Sequence, residues 1–200
     1  MPNVNAPSGL SPVQYKNGSP WTGQARMYVI LSSDGNAYSI GDPVTLSGTG
    51  DSTGVPGATL ATAGSANPVL GSIVSAGGIV YGGPSADPTN LNTTVIPATK
   101  TKNYYVIVAD DPNIVFEIQE STTGAALTTS SVTKNANLLS GTNSGYLSGW
   151  MFNNSTTAVG ATLQLHLWGL AQRKDNAFGA NAKWLCTINV HSLATNVAGV

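Results

Sequence analysis

Two histidines, a single cysteine and a handful of carboxylates are the side chains of this chain that could carry catalysis. Nucleophilic attack needs a Ser or Cys within reach of a histidine that is itself oriented by a third group. His166 and His191 both fall in apolar-alternating stretches, where strands would set them across a ladder from each other, partly buried and satisfied by hydrogen bonds. No G-x-S-x-G elbow accompanies them. Cys186 alternates with Trp184 and Ile188 and has no cationic neighbour to lower its pKa, so it reads as a small buried hydrophobe. Acid–base hydrolysis needs two carboxylates at a fixed separation. Asp110 and Asp111 sit where Asx residues cap a proline turn, while Glu117 and Glu120, three apart on a strand, point to opposite faces. The Asp-Asp turn lacks the alternating oxygens of a calcium loop. The glycine-rich stretches SGTGDSTGVPG and SAGGIVYGG neither open a helix nor carry a phosphate-binding lysine. No catalytic residue, cofactor or metal is expected, and the chain reads as non-enzymatic.

The elements that hold these residues are strands. Hydrophobic residues make up 41% of the 200, enough to bury a core, whereas charged residues are only 8% and the formal net charge is −1. The exterior must therefore be mostly Ser, Thr, Asn, Gln and Gly. No Lys/Arg cluster offers a footprint for nucleic acid or an anionic membrane. A lone cysteine forms no internal disulfide, and the N-terminus has neither a basic start nor an apolar run, so a cytosolic, unsecreted product is expected.

Residues 1–20 carry Pro2, Pro7, Pro12 and Pro20 among Asn, Ser and Gly and read as an extended arm, its Tyr15 and the following Trp21 implying docking on the body or on a neighbour. Residues 21–200 read as one all-β domain. RMYVIL and AYSIGDPVTLSG suggest a hairpin around SSDGNA. ATLATAG and PVLGSIVSAGGIVYG suggest short strands joined by tight turns. NYYVIVADDPNIVFEIQE predicts a second hairpin about its Asp-Pro-Asn turn, the first arm apolar on both faces. A Thr/Ser-rich loop and the Asn-rich KNANLLSG follow. ATLQLHLWGLAQR predicts a long strand with Leu163, Leu165 and Leu167 on one face, and KWLCTINVH a last one with Trp184, Cys186, Ile188 and Val190 inward. No helical periodicity is present. The expected fold is a single β-barrel or a jelly-roll-like sandwich, with a β-tulip-like barrel equally compatible.

Four segments together, NGSPWTGQARMYVI, IGDPVTLSG, YYVIVADDPNIVFEIQE and TLQLHLWGLAQRKDNAFGANAKWLCTINVH, resemble a family of tailed-bacteriophage virion proteins, the head decoration or cement proteins. The resemblance implies a structural protein assembled in the bacterial cytoplasm and carried on the capsid exterior of the virion. Its partners would be the major capsid protein and further copies of itself, as a homodimer or homotrimer, and no cofactor would be needed. On that basis the arm is the reaching element, able to add a strand to a neighbour's sheet. Tyr15, Pro20, Trp21 and Arg26 are then the expected contacts near it, and Arg173, Lys174 and Asp175, in the densest charge cluster of the chain, are the others. The alternative is a carbohydrate- or receptor-binding module of a phage tail or fibre, with Trp21, Trp150 and Trp168 stacking on sugars.

Overall fold

The computed structural model describes residues 3–76 and 95–194, and among them the long apolar runs of the sequence become strands. Thirteen strands follow in chain order: β1 Ser11–Tyr15, β2 Arg26–Ile30, β3 Tyr38–Ser39, β4 Pro43–Gly50, β5 Pro56–Leu60, β6 Gly71–Ala76, β7 Val95–Ile96, β8 Tyr104–Ala109, β9 Ile114–Gln119, β10 Asn135–Leu139, β11 Met151–Ala158, β12 Leu165–Leu170 and β13 Lys183–Ile188. A single 3₁₀ turn, Thr129–Ser131, is the one helical element among the described residues. The all-β expectation holds.

The strands enclose two hydrophobic cores. One lies inside a closed barrel of order β2-β5-β4-β6-β8, filled by Tyr28, Ile30, Val44, Leu70, Ile73, Val106 and Val108. The other lies under a six-stranded antiparallel sheet of order β1-β9-β13-β12-β10-β11, where Phe116, Phe152, Leu165, Leu167, Trp184 and Cys186 pack together. This sheet curls until Phe152 of β11 meets Glu120, just past β9, in a parallel bridge. Both faces of β8 are covered, as its sequence requires: Val106 and Val108 point into the barrel, and Tyr105 packs outside on Val29, Met27, Leu31 and Val55.

Neither expected hairpin forms. β8 pairs with β2 and β6, whereas β9 pairs with β1 and β13, so the turn at 110–113 carries the chain from the barrel into the sheet. The turn chemistry is as read, with Asn113 N donating to Asp111 Oδ1 at 2.8 Å and Ile114 N to Asp111 O at 3.0 Å. Such a turn sets the local backbone but not the pairing partners of its flanks, which are chosen by where each apolar face finds a core. Likewise β2 does not pair with β4. The loop between β2 and β3 is tied down by Asp34, whose Oδ2 accepts from Tyr38 Oη and Thr59 Oγ1, both at 2.7 Å. The buried Lys100 ammonium holds the same loop by donating to the carbonyls of Asp34 and Asn36, each at 2.6 Å.

The N-terminal segment is extended, but it is built into its own body. Leu10 is fully buried, its N–H donates to Gly41 O at 2.9 Å, and its carbonyl accepts from Ser72 Oγ at 2.6 Å. β1 then takes an edge of the sheet beside β9. The outer side of β1 is closed by its own return, with Trp21 N donating to Val13 O at 3.1 Å and Tyr15 N to Ser19 O at 2.9 Å. Pro12, Pro20 and a bulge between Pro12 and Gln14 blunt what remains of the edge, the means by which natural sheets avoid pairing with other chains. A reaching role for this arm by strand addition is therefore corrected: the strand is already used within the molecule.

β10 and β11 are among the stretches that went unread as strands in the sequence. β10 (NANLL) and β11 (MFNNSTTA) are rich in residues of poor strand propensity, and side chains rather than propensity secure them. The Asn154 amide donates to Glu120 Oε1, Gly124 O and Ala125 O, and its Oδ1 accepts from Gly124 N at 2.7 Å. Gln164, fully buried, joins the cores: its Oε1 accepts from Gly64 N and Leu138 N, and its Nε2 donates to Thr62 O and Asn67 O. All four of its hydrogen-bonding positions are met. The second apolar stretch of the middle segment forms β6 as far as residue 76, and its continuation from residue 77 lies outside the described residues.

Candidate functional site

The side chains equipped for chemistry are placed where they support structure. His166 and His191 do not face each other: His166 lies opposite Thr187, and His191 bridges Val69 where the two cores meet. The Nδ1 of His166 lies 2.8 Å from Asn135 Oδ1, and burial, reinforced by nearby Lys16, lowers its pKa. His191 accepts from Leu193 N through Nδ1 at 3.0 Å, and burial brings its pKa down to about 4. Cys186 is fully buried, which pushes its thiol far above the ordinary value. Glu117 is engaged by Arg173 Nη1 at 3.0 Å. Glu120 is buried in the sheet core, where Trp184 Nε1 (2.9 Å), Leu127 N (2.7 Å) and the Asn154 amide (3.2 Å) all donate to it. Glu117 and Glu120 thus occupy opposite faces, as read. No group of three or more His, Cys, Asp or Glu residues suited to a metal occurs among the described residues.

The seven expected contact residues separate into two places. Tyr15, Pro20, Trp21 and Arg26 gather at the junction of barrel and sheet. Two open depressions, of about 500 Å³ and about 430 Å³, meet there through shared Gln24 and Asp111. The first is lined by Tyr15, Lys16, Asn17, Ser19 and Asn113, the second by Ala25, Arg26, Asp110 and Pro112. β1 supplies Tyr15, β2 supplies Arg26, and the crossover between β8 and β9 supplies the aspartates. Tyr15 and Trp21 are half-buried against the sheet core, and each is tied to Gln24: Tyr15 Oη donates to its Oε1 at 2.8 Å and Trp21 Nε1 to its carbonyl at 3.1 Å. Pro20 is exposed and bridges Gln14.

Arg26 is the charged centre of this groove. Its side chain is 64% exposed, yet its Nε lies 2.7 Å from Asp110 Oδ2 in an ion pair, and that carboxylate is only 4% exposed. Tyr28 Oη holds the same oxygen at 2.6 Å, and burial with this bond raises the Tyr28 pKa far above its usual value, keeping it a donor. Sequence reading found Arg26 but not Asp110 as its partner, because 84 positions in the chain separate them. It also passed over Lys16, Asn17, Ser19 and Gln24, whose one signal is a polar tract, YKNGSPWTGQAR, that opens on Tyr15 and runs on past Trp21.

The remaining three lie elsewhere. Arg173 reaches Glu117 and approaches Asp175 Oδ1 at 3.5 Å, on the rim of a smaller depression of about 270 Å³ also lined by Asn3, Val4 and Lys183. Lys174 is exposed on the same loop. That loop separates the last two strands, as read, and Asn176 and Asn3 anchor it through bonds to Lys183 and Ala177. Of the three tryptophans offered for sugar stacking, Trp150 is buried, Trp21 is half-buried and Trp168 is 45% exposed. No helix among the described residues is long and apolar enough to cross a membrane.

No family model, curated protein or solved structure matches the chain.

Proposed function

We propose that this protein is a non-enzymatic virion component that binds the outside of a tailed-phage head and cements neighbouring major capsid proteins. The observation that carries the proposal is where the resembling segments lie. They supply β2 and β8, which pair in the barrel, and β9, β13 and β12, which are successive neighbours in the sheet. The likeness therefore follows the framework of both cores. Supporting it, the exterior is built from hydroxyls and amides, and its arginines are engaged with acids, as in Arg26–Asp110 and Arg173–Glu117. A surface of this kind buries against another protein without large charge desolvation. Copies repeated over a shell sum modest contacts into strong retention, and a symmetric dimer or trimer is the natural unit. No cofactor enters.

Purified protein added to heads lacking it should co-sediment with them at a saturating copy number tied to shell symmetry. Failure to co-sediment with any head would overturn the proposal. One residue favours a second reading, binding of carbohydrate on a tail or fibre. Trp168 is exposed and held rigidly, its Nε1 donating to Thr187 Oγ1 at 3.2 Å and its ring set edge-on to His166 at 6.1 Å. Glycan-array binding abolished by W168A would establish that reading, and an empty array would remove it.

A further inference from the structure

Three peptide bonds of the chain join Asp to Pro, at 42–43, 87–88 and 111–112, the second lying outside the described residues. In such a bond the carboxyl stands one methylene from the backbone, where it can close a five-membered ring on its own peptide carbonyl. The nitrogen beyond that carbonyl belongs to a tertiary amide and takes up a proton more readily than an ordinary peptide nitrogen. Of the two described bonds, Asp42–Pro43 is buried and Asp111–Pro112 is partly exposed.

Asp42 sits in the turn between β3 and β4 and is fully buried. Its Oδ2 accepts from Ser39 N at 2.7 Å and from Asn143 Nδ2 at 3.1 Å, whereas its Oδ1 has no hydrogen-bond partner among the described residues. The side chains about it, Ser39, Asn143 and Ser148, are uncharged, and no cation pairs with it among the described residues. Burial raises its pKa above the ordinary carboxylate value, outweighing the opposite pull of Ser148, Ser39 and Asn143. With both lone pairs of Oδ2 taken by donors, a proton on this carboxyl belongs on Oδ1. The backbone is fixed as firmly. Ile73 N donates to the Asp42 carbonyl at 3.1 Å, and Gly41 N donates to Ile73 O at 2.8 Å. The Ile73 N–H therefore polarises the carbonyl of the Asp42–Pro43 bond and is placed to stabilise an oxyanion formed there.

We propose that Asp42–Pro43 is a self-cleaving bond, opened by attack of the Asp42 carboxyl on its own peptide carbonyl. Oδ1 bonds to the carbonyl carbon, its proton passes to the Pro43 nitrogen, and the C–N bond breaks. The products are a cyclic anhydride at residue 42 and a free amino-terminal Pro43. Water then opens the anhydride to the Asp42 side-chain carboxyl and a new α-carboxyl, so that one water is consumed overall. The un-ionised carboxyl is the reactive form, and the rate rises as pH falls. The pieces, residues 1–42 and 43–200, stay joined by the pairing of β1 with β9 and of β2 with β5 and β8, and separate on unfolding. Asp111 is the internal control, since its Oδ1 is already occupied by Asn113 N at 2.8 Å and Asn113 Nδ2 at 3.1 Å. This chemistry is independent of what the protein docks onto.

The test is incubation of the full chain at about pH 5 and about pH 8, followed by denaturation, intact-mass measurement and amino-terminal sequencing of the products. At the lower pH the folded chain should yield 1–42 and a fragment beginning at Pro43. That cut should run at least about tenfold faster than at the higher pH, and at least about tenfold faster than cutting at Asp111–Pro112. The urea-unfolded chain at the lower pH should lose the preference and cut both bonds at comparable rates, a comparison that needs no variant. D42N retains an acceptor for Ser39 and Asn143 but has no carboxyl, and should abolish the cut. P43A turns the leaving nitrogen into a secondary amide and should slow it several-fold. A folded chain left whole at about pH 5, equal cutting at the two bonds, equal rates folded and unfolded, or the same fragments from D42N would each overturn the proposal.

Discussion

Glu120 is a buried carboxyl that ties three elements of the sheet core together with no cation paired to it among the described residues. Three donors converge on it, from Trp184, Leu127 and Asn154, in a site closed to water. Removing the acceptor leaves Trp184 Nε1 and Leu127 N buried and unmet, at about 1–3 kcal/mol apiece, while the Asn154 amide keeps the carbonyls of Gly124 and Ala125. E120A should therefore lower unfolding stability by at least about 2 kcal/mol in a urea titration, and E120Q should also destabilise, since its amide N–H must confront one of the same donors. A loss below about 1 kcal/mol for E120A would show that the network carries little. His191 makes the fold acid-sensitive. Burial is the main cause of its lowered pKa, with Lys16 and Arg26 also opposing the charge while Asp110 and Asp111 favour it. With a folded value of about 4 against an ordinary 6.5, the unfolded chain takes up the proton first as pH falls. Stability is then lost between those two values. Wild type should lose more stability than H191N between pH 7 and pH 4.5. Equal losses would contradict this.

At the scale of elements, the sequence was most legible where β-branched and aromatic residues run together. β8, β9, β12 and β13 stand at YYVIVA, IVFEIQ, LHLWGL and KWLCTI, because such runs fit a pleated buried surface and little else. Their partners were not legible. The Asp-Pro-Asn turn looks the same whether its flanks pair or part, and the choice between hairpin and crossover depends on contacts far along the chain. β10 and β11 were hidden for the opposite reason, since Asn side chains replace the apolar alternation that would have revealed them. In the groove, Tyr15, Trp21 and Arg26 were visible by type, whereas the Asp110 clamp and the polar tract that opens on Tyr15 acquire meaning only when folded. The N-terminal segment shows how one small residue fixes an element. Gly9 has φ +65°, and a Cβ there would stand 2.1 Å from Gly41 O. G9A should lift residues 3–10 from the sheet. Limited proteolysis should then cut the variant within that segment at protease levels that leave wild type intact, and equal resistance would show that the segment is held elsewhere.

As a whole molecule, the protein is two β cores joined through Val69, Gln164 and the crossover at 110–113, with its arm folded back and its edge strand blunted. A body with these features resists pairing with itself by strand addition and offers side-chain surfaces instead. That suits a part which is added to an already formed shell and strengthens it by contact. The direct measurement is the temperature at which heads release their DNA, compared between wild-type particles, particles from a deletion of this gene, and deletion particles supplied with purified protein. The deletion heads should open at a lower temperature and the added protein should restore the wild-type value. Heads equally resistant without it, or wild-type particles that do not contain it, would contradict the account.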